Sequence, residues 1–123
     1  MVNRVLPTAT FRRQAKRFVK KYRSLKSEIA ILIQNLHREP QKGTPLGSDA
    51  YKIRLAVKSK QRGKSGGMRV ITYVEAIVVE DQTSNDVYLL TIFDKSETAS
   101  ISDSEIQEMI KAIQEANSEG DKE

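Results

Sequence analysis

The stretch MRVITYVEAIVV, residues 68–79, decides the fold, because most of its side chains are β-branched or aromatic and suit a pleated strand. Residues 51–57, YKIRLAV, alternate apolar with mostly polar positions, as a half-buried strand does. Residues 87–93, VYLLTIF, form a further apolar run, and the polar residues 81–86, DQTSND, are typical of a hairpin turn. The pattern predicts an antiparallel sheet built around residues 68–79.

Two helices are predicted before these strands. Apolar residues recur at helical spacing from Phe11 to Tyr22, with Thr10 placed as the N-cap, and again from Leu25 to Arg38. Only Ser24 or its neighbours separate the two runs, which predicts a helical hairpin. Residues 4–8 are expected to form a short strand, and the prolines and glycines of residues 40–47 predict a loop.

A last helix is predicted after the strands. Ser102 and Glu105 have the spacing of a capping box, and Ile101 and Ile106 occupy the flanking staple positions. The predicted order is β-α-α-β-β-β-α, an α+β fold with an antiparallel sheet, an N-terminal helical hairpin and a C-terminal helix. We expect one domain over residues 1–116 and a flexible acidic tail over residues 117–123.

Composition excludes several classes of chemistry. The chain of 123 residues has no cysteine and a single histidine, so thiol catalysis and thiolate or histidine-rich metal sites are ruled out. His37 is expected on the surface. Neither an apolar signal-peptide region nor an apolar run of membrane-spanning length is visible, so we expect a cytoplasmic protein with no membrane partner.

Charge is distributed unevenly along the chain. Residues 1–74 contain 18 Lys and Arg against three Asp and Glu, a net +15, whereas residues 75–123 contain three against 13, a net −10. The basic part indicates a surface that binds a polyanion. The alternative is that the two parts neutralise each other within the fold.

The densest local signal is GKSGGMRV, residues 63–70. A phosphate-binding P-loop would need a glycine at position 58, which is Lys58, and would precede a helix rather than a strand, so nucleotide binding is rejected. A glycine-rich turn that presents Lys64 and backbone N–H groups beside Arg69 suits a phosphate. The alternative is an ordinary hairpin loop with solvated charges.

Strand alternation assigns the cationic residues to one sheet face. Seven apolar or small positions are predicted to face the helices: Ile53, Leu55, Val70, Thr72, Val74, Leu90 and Ile92. The opposite face then carries Lys52, Arg54, Arg69, Tyr73, Phe93 and Lys95. Cations hold phosphates and aromatic rings stack on bases, so this face is a candidate RNA-binding surface.

Four motifs occur together, in order, along most of the chain. They are YKIRLAVKSK at residues 51–60, GKSGGMRVITYV at 63–74, YLLTIFDKSE at 88–97 and ISDSEIQEMI at 101–110. With the predicted helical hairpin, they resemble toxins of the RelE/ParE superfamily from bacterial type II toxin–antitoxin systems. The GKSGG-x-R motif is similar to that of the HigB-like branch. The resemblance covers about residues 11–110.

The resemblance implies a metal-independent endoribonuclease, without cofactors, that cleaves mRNA in the A site of the 70S ribosome and is neutralised by a cognate antitoxin. By this analogy the catalytic candidates are Arg69, Lys64, Lys95, Lys52, Arg54 and Tyr73. Arg69 would stabilise the transition state, and Lys52, Lys64 and Lys95 are candidates for the base or acid. The residues expected to bind RNA are Lys58, Lys60, Arg62, Ser65 and Phe93.

Two positions depart from the family pattern. Thr72–Tyr73 leaves one phenol where the pattern is tyrosine-rich, and Phe93 stands where tyrosine is usual, so a hydroxyl is missing. A ParE-like inhibitor of DNA gyrase, which shares the fold, and an inactive RNA- or ribosome-binding module, which Phe93 favours, are kept as alternatives. Six cations of the first helix are expected to form a solvated face or to contact 16S ribosomal RNA: Arg12, Arg13, Lys16, Arg17, Lys20 and Lys21.

Overall fold

Within the part of the chain that the structure describes, five strands form one sheet, and three helices cover its two faces. The computed structural model describes residues 3–59 and 67–121. The strands are β1 (Arg4–Pro7), β2 (Thr44–Gly47), β3 (Ala50–Leu55), β4 (Met68–Val79) and β5 (Gln82–Asp94), and the helices are α1 (Ala9–Lys21), α2 (Leu25–Arg38) and α3 (Asp103–Asp121). The fold is α+β, as predicted.

The strand order across the sheet is β1-β5-β4-β3-β2. Every neighbouring pair is antiparallel except β1 and β5, which are parallel with Val5 opposite Val87. The sheet is therefore mixed, where a purely antiparallel one was expected. A tight hairpin forces antiparallel pairing only on consecutive strands, and β1 and β5 are separated by two helices and three strands.

The segment predicted as a loop, residues 40–47, contains the edge strand β2. All four residues of β2 are exposed, so no apolar alternation signals the strand. Gly43 and Gly47 adopt φ angles of 107° and 93°, which suit glycine and bend the chain onto β3.

The turn between β4 and β5 is shorter than predicted. Glu80 and Asp81 form it alone, with φ angles of 51° and 68°, and Val79 pairs directly with Gln82. Two consecutive positive φ angles are the mark of a type I′ turn, whose twist matches that of the strands. Residues 82–86, expected in the turn, are therefore part of β5.

Two apolar cores lie on opposite faces of the sheet. The larger packs α1 and α2 against residues such as Val70, Val74 and Ile92, and the smaller packs Ile106 and Ile110 of α3 against the other face. A bulge in β5, where Thr91 and Leu89 pair with the consecutive Ile71 and Thr72, leaves Leu90 as an extra residue. Leu90 consequently lies in the α3 core, on the face opposite Ile92, and the prediction that the two share a face was wrong.

The helix boundaries follow from their caps. The N-cap of α1 is Thr8 rather than Thr10, because the Thr8 hydroxyl accepts from Phe11 N at 3.2 Å and also donates to Leu89 O at 2.9 Å. The predicted bounds of α2 and the capping box of α3 are confirmed. Helix α3 continues past the expected end at residue 116. None of the described helices is long and apolar enough to span a membrane.

Candidate active site

A cavity of about 230 Å³ opens on the face of the sheet that α3 packs against, beside the part of that face that α3 covers. Cross-strand register explains its composition, because Arg54 of β3 pairs with Arg69 of β4, and Arg69 pairs with Phe93 of β5. Neighbouring strands lie about 4.8 Å apart, so Arg54 and Phe93 flank Arg69 directly. Among the described residues, its lining consists of Thr44, Lys52, Arg54, Arg69, Phe93, Lys95 and Ala99.

The cavity is strongly cationic. Lys52, Arg54 and Lys95 are exposed at its rim, whereas Arg69 is only 6% exposed and forms its floor. The Arg69 guanidinium approaches Met68 O at 3.4 Å. Within the described residues, no carboxylate lines the cavity, and no group of three His, Asp or Glu side chains is arranged to hold a metal. An anion is the ligand that this lining favours.

The structure brings five of the predicted residues to this cavity: Lys52, Arg54, Arg69, Phe93 and Lys95. Phe93 is 5% exposed and packs with the α3 core. It is therefore a wall of the cavity, with little ring surface left for a stacked base.

Tyr73 does not belong to this group. It lies four residues after Arg69 on β4, which is about 13 Å along the strand. Its ring is covered by α3 and stacked on Tyr88, and its hydroxyl accepts a hydrogen bond from Gln114 at 3.2 Å. Alternation placed Tyr73 on the correct face, but α3 occupies that part of the face. The prediction of Tyr73 in the cationic site is wrong.

The remaining candidates lie elsewhere or are not described. Lys58 lines a second cavity of about 290 Å³ between α2 and β3, which it shares with Arg54. Its backbone N–H donates to the Glu28 carboxylate at 2.8 Å. Lys60, Arg62, Lys64 and Ser65 lie outside the described residues.

Sequence reasoning missed Asp94, which ends β5 immediately before Lys95. Its side chain is 1% exposed and accepts hydrogen bonds from the Tyr22 hydroxyl at 2.8 Å and from the Ser96 N–H and hydroxyl at 3.0 and 2.8 Å. Burial, and then this bond to Asp94, raise the pKa of Tyr22. The only sequence signal is an acidic residue at the end of an apolar strand.

His37 and the cations of α1 are exposed outside the cavity, as expected from the sequence. His37 is exposed, and its Nδ1 lies 2.8 Å from Asn3 O. The six cations of α1 are all exposed, and two of them, Arg17 and Lys21, form ion pairs with Glu97 at 3.3 and 3.4 Å. This exposure is compatible both with a solvated face and with contact to ribosomal RNA.

Comparison with known proteins identifies the family. No curated protein matches the chain. The sequence model of the RelE toxin of the RelE/RelB toxin–antitoxin system matches residues 3–122, nearly the whole chain, and does not single out the HigB-like branch. The matched region includes all of the residues that line the cationic cavity. The chain therefore belongs to the RelE family of toxins of toxin–antitoxin systems.

Proposed function

We propose that this toxin is a metal-independent endoribonuclease that cleaves mRNA in the ribosomal A site. The observation that carries the proposal is the convergence of Lys52, Arg54, Arg69 and Lys95 on one cavity without a carboxylate among the described lining residues. Toxins of this family are generally nucleases that attack mRNA, and they are paired with a cognate antitoxin. A protein that acts only by binding another protein has no need of such a convergent cationic cavity.

The chemistry needs no external nucleophile, because RNA carries its own. The 2′-hydroxyl attacks the adjacent phosphorus, its proton passes to a base, and the bond from phosphorus to the 5′-oxygen breaks. The leaving 5′-oxygen takes a proton, and the products are a 2′,3′-cyclic phosphate and a 5′-hydroxyl. Negative charge builds up on the non-bridging oxygens in the transition state, so fixed cations around that phosphate lower the barrier.

Arg69 is the residue assigned to transition-state stabilisation. Its guanidinium is permanently charged and its planar fork can donate to two phosphate oxygens at once. Because it is buried between Arg54 and Phe93, its position is set before RNA binds. Such preorganisation makes an electrostatic contribution effective, since the protein does not have to reorganise during the reaction.

Proton transfer falls to lysine in this proposal. The described cavity contains no phenol, because Tyr73 is held under α3 by Gln114 and position 93 is phenylalanine. Lys52 and Lys95 both line the cavity and are the described candidates for base and acid. The lack of a phenol also favours the second candidate function, an inactive domain that binds RNA or the ribosome.

Ribosome binding is assigned to the exposed cations of α1. They form a basic surface separate from the cavity, and a ribosome presents an extended array of phosphates. In this proposal the cavity binds the scissile phosphate and the α1 face contacts 16S ribosomal RNA.

Primer extension on cellular mRNA after a short pulse of expression tests the proposal, with wild type compared with Arg69→Ala. We expect discrete cuts confined to translated frames in the wild type and none in the variant. Growth arrest without cuts would instead favour a ParE-like inhibitor of gyrase, which a DNA-supercoiling assay would then detect. No arrest and no cuts with folded protein would favour the inactive binding domain.

A further inference from the structure

The segment that carries Lys95 is held by a network of hydrogen bonds on both sides of that residue. Asp94 precedes Lys95, and its backbone carbonyl accepts from Glu97 N and Thr98 N, both at 2.9 Å. One oxygen of the Asp94 carboxylate, Oδ1, accepts from the backbone and side chain of Ser96 at 3.0 and 2.8 Å. The carboxylate of the residue before Lys95 is thus bonded to the residue after it.

The other carboxylate oxygen of Asp94 connects this turn to α1. Oδ2 accepts from the Tyr22 hydroxyl at 2.8 Å, across 72 residues of sequence. Tyr22 itself is firmly placed at the junction of α1 and α2: its N–H donates to Phe18 O at 2.8 Å, its carbonyl accepts from Leu25 N at 3.1 Å, and its ring stacks on Phe18. The helical hairpin therefore provides a fixed support for the turn.

Burial distinguishes the hydrogen bond between Tyr22 and Asp94 from the surface contacts around it. Asp94 is almost completely buried, whereas the ion pairs of Glu97 with Arg17 and Lys21 join exposed groups. Exposed ion pairs contribute little to the stability of the fold. A hydrogen bond to a buried carboxylate is charge-assisted, and its loss is costly in free energy. Among the contacts between described residues, the Tyr22–Asp94 bond is the buried side-chain link that joins the turn to the helical hairpin.

We propose that Tyr22 and Asp94 are positioning residues that hold Lys95 in the cavity at the geometry required for proton transfer. The inference rests on the proposed nuclease function and adds to it a dependence on the helical hairpin, which contributes no residue to the cavity lining. Proton transfer by a lysine on a flexible side chain depends on where its backbone is held. Loss of the Tyr22 hydroxyl should therefore slow the reaction without weakening RNA binding.

The test compares Tyr22→Phe with the matched control Tyr88→Phe. Each variant keeps the ring and loses one hydroxyl that bonds to a distant element, but the Tyr88 hydroxyl accepts from Asn117 on α3 and lies away from Lys95. Single-turnover cleavage of mRNA on programmed ribosomes gives the rate at saturation and the half-saturating concentration for each. Hydrogen exchange of the backbone amides of residues 96–98 reports on the turn whether or not the protein cleaves RNA.

For Tyr22→Phe we expect a saturating rate lowered roughly tenfold or more, since small misplacements of catalytic groups have effects of this size, with an unchanged half-saturating concentration. We also expect faster exchange at residues 96–98, and wild-type values for Tyr88→Phe. The inference is overturned by a wild-type rate in Tyr22→Phe, by equal losses in both variants, or by unchanged exchange. If the wild type itself cleaves nothing, the proposed nuclease function fails. The proposed role of Tyr22 and Asp94 in catalysis then fails as well.

Discussion

Gly67 offers a sharp test of how the backbone places Arg69. It lies immediately before β4, with a φ angle of 72°, and a Cβ added there would lie 2.6 Å from the backbone carbonyl oxygen of Leu55 on β3. Gly47 has a φ angle of 93°, but a Cβ there would meet nothing within 4 Å. Both Gly67→Ala and Gly47→Ala therefore place alanine at a positive φ angle, but only Gly67→Ala brings a Cβ into collision with the backbone of β3.

The magnitude follows from separating these two effects. A non-glycine residue at positive φ costs about 1–3 kcal/mol, and alanine recovers about 0.4–1 kcal/mol by restricting the unfolded chain. Both variants bear this net cost. At Gly67 the neighbour is backbone, which cannot rotate away, so β3 and β4 must shift apart at a cost of about 1–3 kcal/mol more. For a chain of this length, that difference corresponds to a Tm about 3–15 °C lower than that of Gly47→Ala.

Thermal and urea unfolding of the two purified variants measure this difference. We expect Gly67→Ala to be the less stable, and also to lose cleavage activity, because the displaced start of β4 carries Arg69 and the end of β3 carries Arg54. Gly47→Ala should retain activity. Equal stability of the two variants would refute the reasoning, as would full activity in a destabilised Gly67→Ala.

Three further predictions concern a helix cap, alkaline stability and RNA binding. Ser102→Ala removes the hydroxyl that accepts from Glu105 N at 3.2 Å, so the free energy of unfolding should fall by about 1 kcal/mol in urea titrations; no change would contradict the capping role. Burial raises the pKa of Tyr22 above its usual value of 10.0. As the pH rises, this phenol therefore ionises in the unfolded chain before it ionises in the folded protein. The stability that the neutral phenol contributes is complete below pH 10 and is lost as the pH rises through the higher pKa of the folded state. Tyr22→Phe should consequently show a shallower alkaline loss of stability than the wild type, and parallel curves would exclude this residue as the cause. Lys52→Ala should reduce the slope of log affinity for single-stranded RNA against log salt by about 0.7, and an unchanged slope would mean that Lys52 contacts no phosphate.

The sequence was sufficient to predict the strands and helices whose own residues show an apolar pattern or a capping motif. The alternation from Tyr51 to Val57 and the β-branched run of β4 marked two strands, and the Ser102–Glu105 spacing marked the start of α3. Strand β2 was missed because it is fully exposed and owes its place to pairing with β3. A polar edge strand has no apolar pattern to detect.

The residues of the cationic cavity were predicted only in part, because sequence alternation describes a strand by itself and not what packs against it. Alternation assigns a residue to a face of the sheet, and it did so correctly for Lys52, Arg54 and Arg69. It cannot say which part of that face a later helix covers, so Tyr73 was expected in the cavity and lies under α3. The bulge at Leu90 is a similar case, since one extra residue reverses the alternation beyond it.

The role proposed for Asp94 depends on contacts between distant parts of the chain. Its carboxylate meets Tyr22, which is 72 residues away, and nothing in the local sequence indicates this pairing. Positioning residues of this kind become visible only once the tertiary structure brings α1 against the end of β5.

The most direct test of the central claim is single-turnover cleavage of a defined mRNA on purified 70S ribosomes, with wild type compared with Arg69→Ala. The wild type should cut the mRNA in the A site and leave a 2′,3′-cyclic phosphate upstream and a 5′-hydroxyl downstream. Arg69→Ala, checked for folding by thermal unfolding, should be slower by about 10²–10³-fold, the usual effect of losing one preorganised group that stabilises transition-state charge. Cleavage at the wild-type rate by Arg69→Ala, or uncut mRNA with the folded wild type, would contradict the account.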